Sequence, residues 1–458
     1  MTNLLRILAY KPGPARQTVG MQGLVCCEPL ELEWLYTYLE GYDVTLLDGM
    51  TDDTDPVALA RVQRVEVVLL TAFITHVEVV RELAVRFAKL DSPPRVFVGG
   101  PHAEVCPEHF FFEGVHGVFM ANQLEAVAEV TRRVAAGKNF SDVGGLCAPS
   151  ATGWTTNPAS PLDPATLRAP RRVLLEKDPD AYFYLHHPRC ASVKTAFGCH
   201  EKCSFCFCTA MHGGRYGPRP LDAVIDEIAE LSVNNVFILD DNFLSSERRV
   251  QDFIARARER GLAKHYIVYG DAAFIASHEA LIAEFVAVGL RSVIVGFESI
   301  DDDELGDMNK RARRVDNDRT VEICHTLGLE LIALFIADPA WQPWQFKQLA
   351  RYIRQQKIPF AMFSTRTVLP GTALAKGRAF GQDTSFWRYD FLRLTEKPRH
   401  MTRLGYYLRL FGLYLVPNLG GQALGFIRRE LGVWGTLRLT LRSLLSGVEL
   451  LYKLIRWG

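Results

Sequence analysis

Net charge is the first thing this sequence lacks, since 52 Lys and Arg stand against 52 Asp and Glu. That balance argues against a globally basic nucleic-acid binder, although charge can still be unevenly placed. No secretory leader is evident, because Met1–Tyr10 already reads as a strand (Leu-Leu-Arg-Ile-Leu-Ala-Tyr) without a cleavage site. With ten cysteines and no leader, the expectation is a reducing compartment and a cytoplasmic protein. An unbroken apolar run of membrane-spanning length is missing too. The nearest candidate, Leu410–Ile427, is uncharged but interrupted by Pro417, Asn418, Gly420, Gly421 and Gln422. What remains is a chain of 458 residues, 48% hydrophobic, with material for two or three domains and large cores.

Cys199, Cys203 and Cys206 form a C-x3-C-x2-C triad in Lys-Thr-Ala-Phe-Gly-Cys-His-Glu-Lys-Cys-Ser-Phe-Cys, directly after the strand-like Ala191–Ala196. Three thiolates on one short loop hold three irons of a 4Fe-4S cluster and leave the fourth iron open to a small-molecule ligand. Two other readings use the same residues: a zinc knot that recruits Cys208, and free thiols without metal. A single residue separates Cys206 from Cys208, against the two to four usual between paired zinc ligands. The spacing, with Phe205 just before the third cysteine, resembles the radical S-adenosylmethionine superfamily. That resemblance implies an open iron chelating the amino and carboxylate groups of S-adenosylmethionine, which the reduced cluster cleaves to a 5′-deoxyadenosyl radical.

Upstream, short β-rich runs (Leu4–Tyr10, Tyr42–Leu47, Val65–Leu70, Arg95–Val98, Gly117–Met120) alternate with helical ones (Leu30–Glu40, Pro56–Arg64, Val77–Leu90, Leu124–Ala136). This predicts a doubly wound parallel sheet. Ligands of such sheets bind beyond the carboxyl ends of the strands, at the loops containing Thr71 and Gly99-Gly100-Pro101-His102, where glycine admits close approach to the backbone. The arrangement resembles the cobalamin-binding domain fused to many radical S-adenosylmethionine enzymes, which makes Thr71, Gly99, Gly100, Pro101 and His102 expected cobalamin contacts. His102 reads equally as a turn residue packing on its neighbours. The loop Lys11-Pro12-Gly13-Pro14-Ala15-Arg16 lacks the Asp-x-His-x-x-Gly element that supplies an axial histidine, so the resemblance implies cobalt without that lower ligand.

The proline-rich stretch Cys147–Pro188 reads as an extended connector. Beyond it, six strands alternating with helices predict a partial β/α barrel, whose functional residues sit at the strands' carboxyl ends. Those ends carry the Cys199 loop, Asp240-Asp241-Asn242, Gly270-Asp271, Gly296-Phe297-Glu298-Ser299, Ala337-Asp338-Pro339 and Thr365-Arg366. By resemblance, Asp240, Asp241 and Asn242 occupy the methionine-binding turn, and Glu298 is the fourth-strand glutamate followed by the family's usual sequel through Lys310. Asp240 or Asp241 reads alternatively as a helix cap, and Glu298 as an ordinary salt-bridge partner. Arg215-Tyr216-Gly217-Pro218-Arg219 either orients an anion or stitches the loop down. Asp338-Pro339-Ala340-Trp341-Gln342 departs from the family's Gly-x-Pro turn.

Beyond Met401, eight Lys or Arg against two Glu are interleaved with Leu, Tyr, Phe and Trp. This is the pattern of an interfacial helix, a lid over an apolar substrate, or a helical subdomain packed on the barrel. The expected division is therefore a cobalamin-binding domain at 1–148, a linker at 149–190, a partial barrel at 191–385 and a C-terminal helical region at 386–458. The resemblance implies a cobalamin-dependent C-methyltransferase acting on an unactivated carbon of an apolar molecule, such as a hopanoid lipid or a tetrapyrrole. One S-adenosylmethionine would methylate Co(I), and a second would generate the substrate radical that takes the methyl group. A cyclase or oxidase using the same cofactors is the alternative. Expected partners are a flavodoxin or ferredoxin as electron donor and a membrane surface touched by 401–458, with no nucleic acid.

Overall fold

A computed structural model describes residues 4–20, 23–120, 123–381, 383–418 and 421–457. The chain divides into two compact units, Met1–Thr18 with Pro29–Asp178 and Ala375–Tyr389, and Val19–Glu28 with Pro179–Leu374 and Asp390–Gly458.

In the first unit the wholly buried strand Val67–Thr71 lies in the interior of the sheet, as the β-branched and leucine-rich run Val-Val-Leu-Leu-Thr requires. The sheet runs in the order Asp43–Asp48, Arg6–Lys11, Val67–Thr71, Arg95–Gly99, Gly117–Phe119, Leu146–Ser150, Gly153–Thr156. The first five strands are parallel and the last two antiparallel. Strand order reverses between Arg6–Lys11 and Val67–Thr71, the switch point at which such sheets take ligands. The helix Val77–Ala88 buries Val77, Val80, Leu83, Ala84 and Phe87, one stripe at helical spacing.

The segment read as a connector is built into this unit. Leu146–Ser150 and Gly153–Thr156 extend the sheet as a hairpin. Pro149 is tolerated because the pairing with Gly117–Phe119 reaches only Leu146 and Cys147. The buried Glu33 carboxylate accepts the amides of Val173, Leu174 and Leu175 at 2.9, 2.8 and 3.3 Å, capping the short helix Val173–Lys177. Two long-range exchanges also redraw the expected boundaries. Val25–Cys26 pairs with Phe183–Tyr184 in the second unit. Phe386 joins the first unit's core, its amide donating to Glu78 at 2.7 Å.

The second unit contains six parallel strands in chain order: Cys190–Val193, Asn235–Ile238, His265–Gly270, Leu290–Glu298, Glu330–Ala337 and Phe360–Thr365. Helices connect them, giving the expected partial β/α barrel. The first strand is shorter than its sequence suggests. After Val193 the Asp240 carboxylate takes the amides of Thr195 and Ala196, at 2.6 and 2.9 Å, and Ala196–Phe197 pairs instead with Gly217–Pro218.

The tail forms two helices, Arg403–Asn418 and Gly421–Trp457, the second kinked at Gly432, with residues 419–420 between them outside the described residues. The first is part of the core. Tyr406, Tyr407, Leu410 and Leu413 are buried, and the Tyr406 hydroxyl donates to the Ala337 carbonyl at 2.8 Å. Among the described residues no helix is long and apolar enough to cross a membrane.

Candidate active site

The cysteine loop leaves the sheet through Gly198, whose φ is +81°. A Cβ there would lie 1.8 Å from the Arg215 carbonyl oxygen, so only glycine fits. The Gly198 amide donates to Asp241 Oδ2 at 2.8 Å, which ties the loop to the end of the second strand. Cys199, Cys203 and Cys206 then line one cavity of about 140 Å³ together with Phe205, Asp241, Asn242, Asp271, Glu298 and Lys310. The three thiols, the expected aromatic residue and the carboxyl ends of the second, third and fourth strands thus converge.

Within the dipeptide Asp240-Asp241 the two carboxylates do different work. Asp240 points away from the cavity, accepts from Thr195 Oγ1 at 2.5 Å besides the two amides, and braces the base of the loop. Burial raises its pKa. Its oxygens are engaged inside the fold, and it is not among the residues that line the cavity. Asp241 lines the cavity, 3.4 Å from Lys194 Nζ and 3.1 Å from the Cys208 thiol. Burial works against its ionisation, but Lys194 and that thiol outweigh it and hold the pKa below the usual value. Neither aspartate caps the helix Glu247–Glu259 that follows.

The thiols are unequal. Burial raises Cys199 and pushes Cys203 up to about 12, whereas a hydrogen bond from Cys208 draws Cys206 down to about 7. Thiols raised by burial are ones that a positive metal centre would deprotonate outright. Two acceptors complete the fit. Asn242 Oδ1 and Asp271 Oδ2 are buried, line the cavity, and have no hydrogen-bond partner among the described residues. Asp271 uses its other oxygen to cap the helix Ala272–Ser277, accepting from the Phe274 amide at 3.1 Å. Open acceptors beside three thiols suit a ligand that carries an ammonium group. Asp271 was visible beforehand only as a strand-end residue.

Glu298 sits at a register shift in its strand with φ +60°, and its Oε1 lies 3.6 Å from Lys310 Nζ. Burial raises the Glu298 pKa. For Lys310 burial acts in the opposite sense, but the Glu298 charge prevails and the ammonium is favoured. The residues leading to Lys310 clamp the cysteine loop. Met308 O accepts the Ser204 amide at 3.0 Å, and Asn309, in the left-handed conformation asparagine tolerates, donates to Lys202 O at 2.6 Å. Arg219 proves to be a stitch. It is buried, donating to Lys194 O at 2.7 Å and to Glu227 at 2.6 Å. The divergent turn after the fifth strand is fixed by an Asp338–Arg366 pair at 2.8 Å and by Trp341 Nε1 donating to Glu304 at 2.8 Å.

In the first unit, Gly100 has φ +100° and a Cβ there would meet the Ala72 amide nitrogen at 2.6 Å, so its glycine serves strand-end packing. Gly99 has room, since a Cβ would touch only Phe119 at 3.8 Å. Thr71 is buried beside Gly100, and Pro101 starts the short helix Pro101–Val105. His102 turns inward, its Nε2 2.9 Å from His109 Nδ1 and its ring against Phe110 and Phe386. The open backbone at Gly99, beside the switch point, suits a large ligand resting on main chain.

Two family models match. Residues 19–131 match the B12 binding domain and residues 193–353 the radical SAM superfamily. The hopanoid C-3 methylase of Methylococcus capsulatus is 26% identical over 80% of this chain and 71% of its own length. The bacteriochlorophyllide d C-12(1)-methyltransferase of Chlorobaculum tepidum is 24% identical over 75% and 72%. Among solved structures, the radical S-adenosylmethionine methyltransferase TsrM of Kitasatospora setae, with cobalamin and a [4Fe-4S] cluster bound, superposes with TM-score 0.64 at 20% identity over 81% of this chain and 77% of its own, a likeness of fold. With both domains matched, in the order the residues gave, the chain carries a B12 binding domain followed by a radical SAM domain and is similar to cobalamin-dependent radical S-adenosylmethionine methyltransferases; the cofactors of these two domains are a 4Fe-4S cluster, S-adenosylmethionine and cobalamin.

Proposed function

We propose that the chain transfers a methyl group to an unactivated carbon of an apolar substrate, a lipid such as a hopanoid or a tetrapyrrole. The observation that carries this reading is the cavity in which three thiols face two unpartnered acceptors, in a chain that also has a B12 binding domain. When bound, the cluster and S-adenosylmethionine supply one-electron chemistry and cobalamin supplies methyl transfer. Cys199, Cys203 and Cys206 hold three irons, while Cys208 stays with Asp241. Asn242 and Asp271 accept from the S-adenosylmethionine ammonium, and Glu298, positioned by Lys310, adds a third contact. Phe205 covers the loop side of the cavity. Thr71, Gly99, Gly100 and Pro101 form the turn on which cobalamin rests, with His102 packed beneath it. No side chain need act as acid or base; the residues place the cofactors and exclude water. A flavodoxin or ferredoxin delivers the electrons.

The relatives named above act, by their names, on a hopanoid and a bacteriochlorophyllide. The second tail helix supports an apolar partner as well. Trp434, Leu437, Leu441, Leu445, Val448 and Tyr452, spaced three or four apart, are 53% to 83% exposed, with Arg428, Arg429 and Arg438 nearby. This stripe lies on the membrane surface that holds the substrate, gaining from apolar burial and anionic headgroups. Full-length protein should sediment with anionic vesicles more than neutral ones, an effect that salt weakens, and Trp434→Glu with Leu441→Glu should abolish it. Equal sedimentation of that variant would remove the membrane contact.

The reaction is tested by supplying reduced holoenzyme with methyl-labelled S-adenosylmethionine and candidate hopanoids or tetrapyrroles. Methyl transfer predicts S-adenosylhomocysteine and 5′-deoxyadenosine in about equal amounts, with label in the product. Substrate-dependent 5′-deoxyadenosine without S-adenosylhomocysteine would instead indicate the cyclase or oxidase chemistry.

A further inference from the structure

The geometry points to a second metal site in this chain, at the amino-terminal end of the six-stranded sheet: we propose that His186, His187 and Glu330 bind a divalent ion of the zinc class. Glu330 is the first residue of the fifth strand, and the two histidines follow Phe183–Tyr184 at a tight turn. The cysteine loop leaves the opposite, carboxyl end of the sheet, so the two groups are separate.

His187 Nε2 lies 3.0 Å and His186 Nε2 3.3 Å from the same oxygen, Glu330 Oε2. All three residues are 2% exposed. Their ligand atoms lie within 4.8 Å of one another, a spread small enough for one ion to gather. Ser292 Oγ donates to Glu330 Oε2 at 2.6 Å and fixes the carboxylate from a neighbouring strand, the support that metal-bound carboxylates usually have. The His186 ring is held between His187 and Phe360, at centroid distances of 4.3 and 5.5 Å.

The hydrogen bonding of this cluster is incomplete in a way that points to a ligand. Neither ring nitrogen of His186 has a hydrogen-bond partner among the described residues, and Glu330 Oε1 has none either. A buried carboxylate needs a compensating positive charge, yet among the described residues Glu330 is paired with the two imidazoles and with no Lys or Arg. A divalent cation would supply the charge and use the lone pairs of both Nε2 atoms at once. Two neutral nitrogens and one carboxylate make up a common three-residue donor set, completed by water, for zinc and its neighbours in the first transition row. At the amino-terminal face of a barrel, away from the chemistry, such an ion would pin the 183–188 turn to the sheet.

The test uses full-length protein reconstituted anaerobically with iron and sulfide, so that the cluster thiols are occupied. The protein is dialysed against zinc chloride buffered with nitrilotriacetate, then examined by metal analysis and zinc K-edge absorption. The proposal predicts about one tightly held zinc per chain, with nitrogen and oxygen neighbours at about 2.0–2.1 Å and no sulfur. His187→Gln and Glu330→Gln should each retain zinc at least tenfold more weakly, with iron content unchanged. Failure of the wild-type protein to retain zinc would overturn the proposal. So would sulfur in the first shell, which places the ion on cysteines, or undiminished retention by both variants. Should a variant fail to fold, the wild-type stoichiometry and first shell decide alone.

Discussion

The two α/β units finish their strands in opposite ways. In the second unit the strand-end loops turn side chains toward a shared cavity: three thiols, Asp241, Asn242, Asp271 and Glu298. In the first, the equivalent loops close on themselves, with Gly100 against Ala72 and His102 folded onto His109 and Phe386. The difference follows from what each end must hold. A cluster is fixed by covalent-strength bonds to named atoms, so its loop must deliver specific side chains. A large ligand resting on backbone needs clearance and a fixed turn, and side chains there serve the turn.

The largest break in this comparison comes from the thiols. Replacing Cys199, Cys203 and Cys206 together by alanine should reduce cluster absorbance and S-adenosylmethionine cleavage to background, with cobalamin still retained. Loss of cobalamin as well would mean that the units do not keep their cofactors independently.

Glycine substitutions separate the units next. Gly198→Ala forces a Cβ into the Arg215 carbonyl and should cost at least about 4 kcal/mol, lowering cluster loading. Gly100→Ala should impose a comparable strain on the first unit, so that cobalamin retention falls while iron content holds. Thermal unfolding and cofactor stoichiometry of each variant check the split; matching losses of both cofactors in either variant would contradict it.

Acid should act on the first unit through two buried histidines. Burial lowers His76 to about 4 and His102 to about 3, His102 also by the neighbouring His109. Both stay neutral in the folded protein while the unfolded chain takes up protons below about 6.5. Their stabilisation is therefore complete above that pH and is lost as pH falls toward 4, by up to about 3 kcal/mol for each. Hydrogen exchange at pH 5 should show residues 67–110 opening further than at pH 7, and unchanged protection there would refute the argument.

Asp271→Asn should raise the KM for S-adenosylmethionine about tenfold, the cost of weakening one charged hydrogen bond, with the cluster spectrum intact. Cys208→Ala should have the smallest effect, because that thiol donates to Asp241 and the proposed set of iron ligands does not include it.

Legibility in the sequence tracked the range of the interactions involved. The cysteine triad could be read because its ligands are local, and the alternating strands because each carries its own periodicity. Asp240 and Asp241 could not be told apart: adjacent and chemically identical, they differ only in which way the strand end turns them. The proline-rich stretch after residue 147 hid a hairpin and a helix capped by the distant Glu33. The exchange of residues 19–28 and 375–389 between units depends on pairings and packing far apart in the chain, for which no local pattern exists. In the tail, the tyrosines of Arg403–Asn418 looked amphipathic, yet Tyr406 and Tyr407 are core residues whose hydroxyls bond the backbone of the second unit.

The central claim is an iron left open by three thiolates, and electron paramagnetic resonance of the reduced, anaerobically reconstituted holoenzyme tests it most directly. Addition of S-adenosylmethionine carrying a 15N amino group should change the cluster signal and introduce a nitrogen coupling, in the wild type and in Cys208→Ala alike. A signal indifferent to S-adenosylmethionine, together with loss of the cluster in Cys208→Ala, would make Cys208 the fourth ligand and contradict the account.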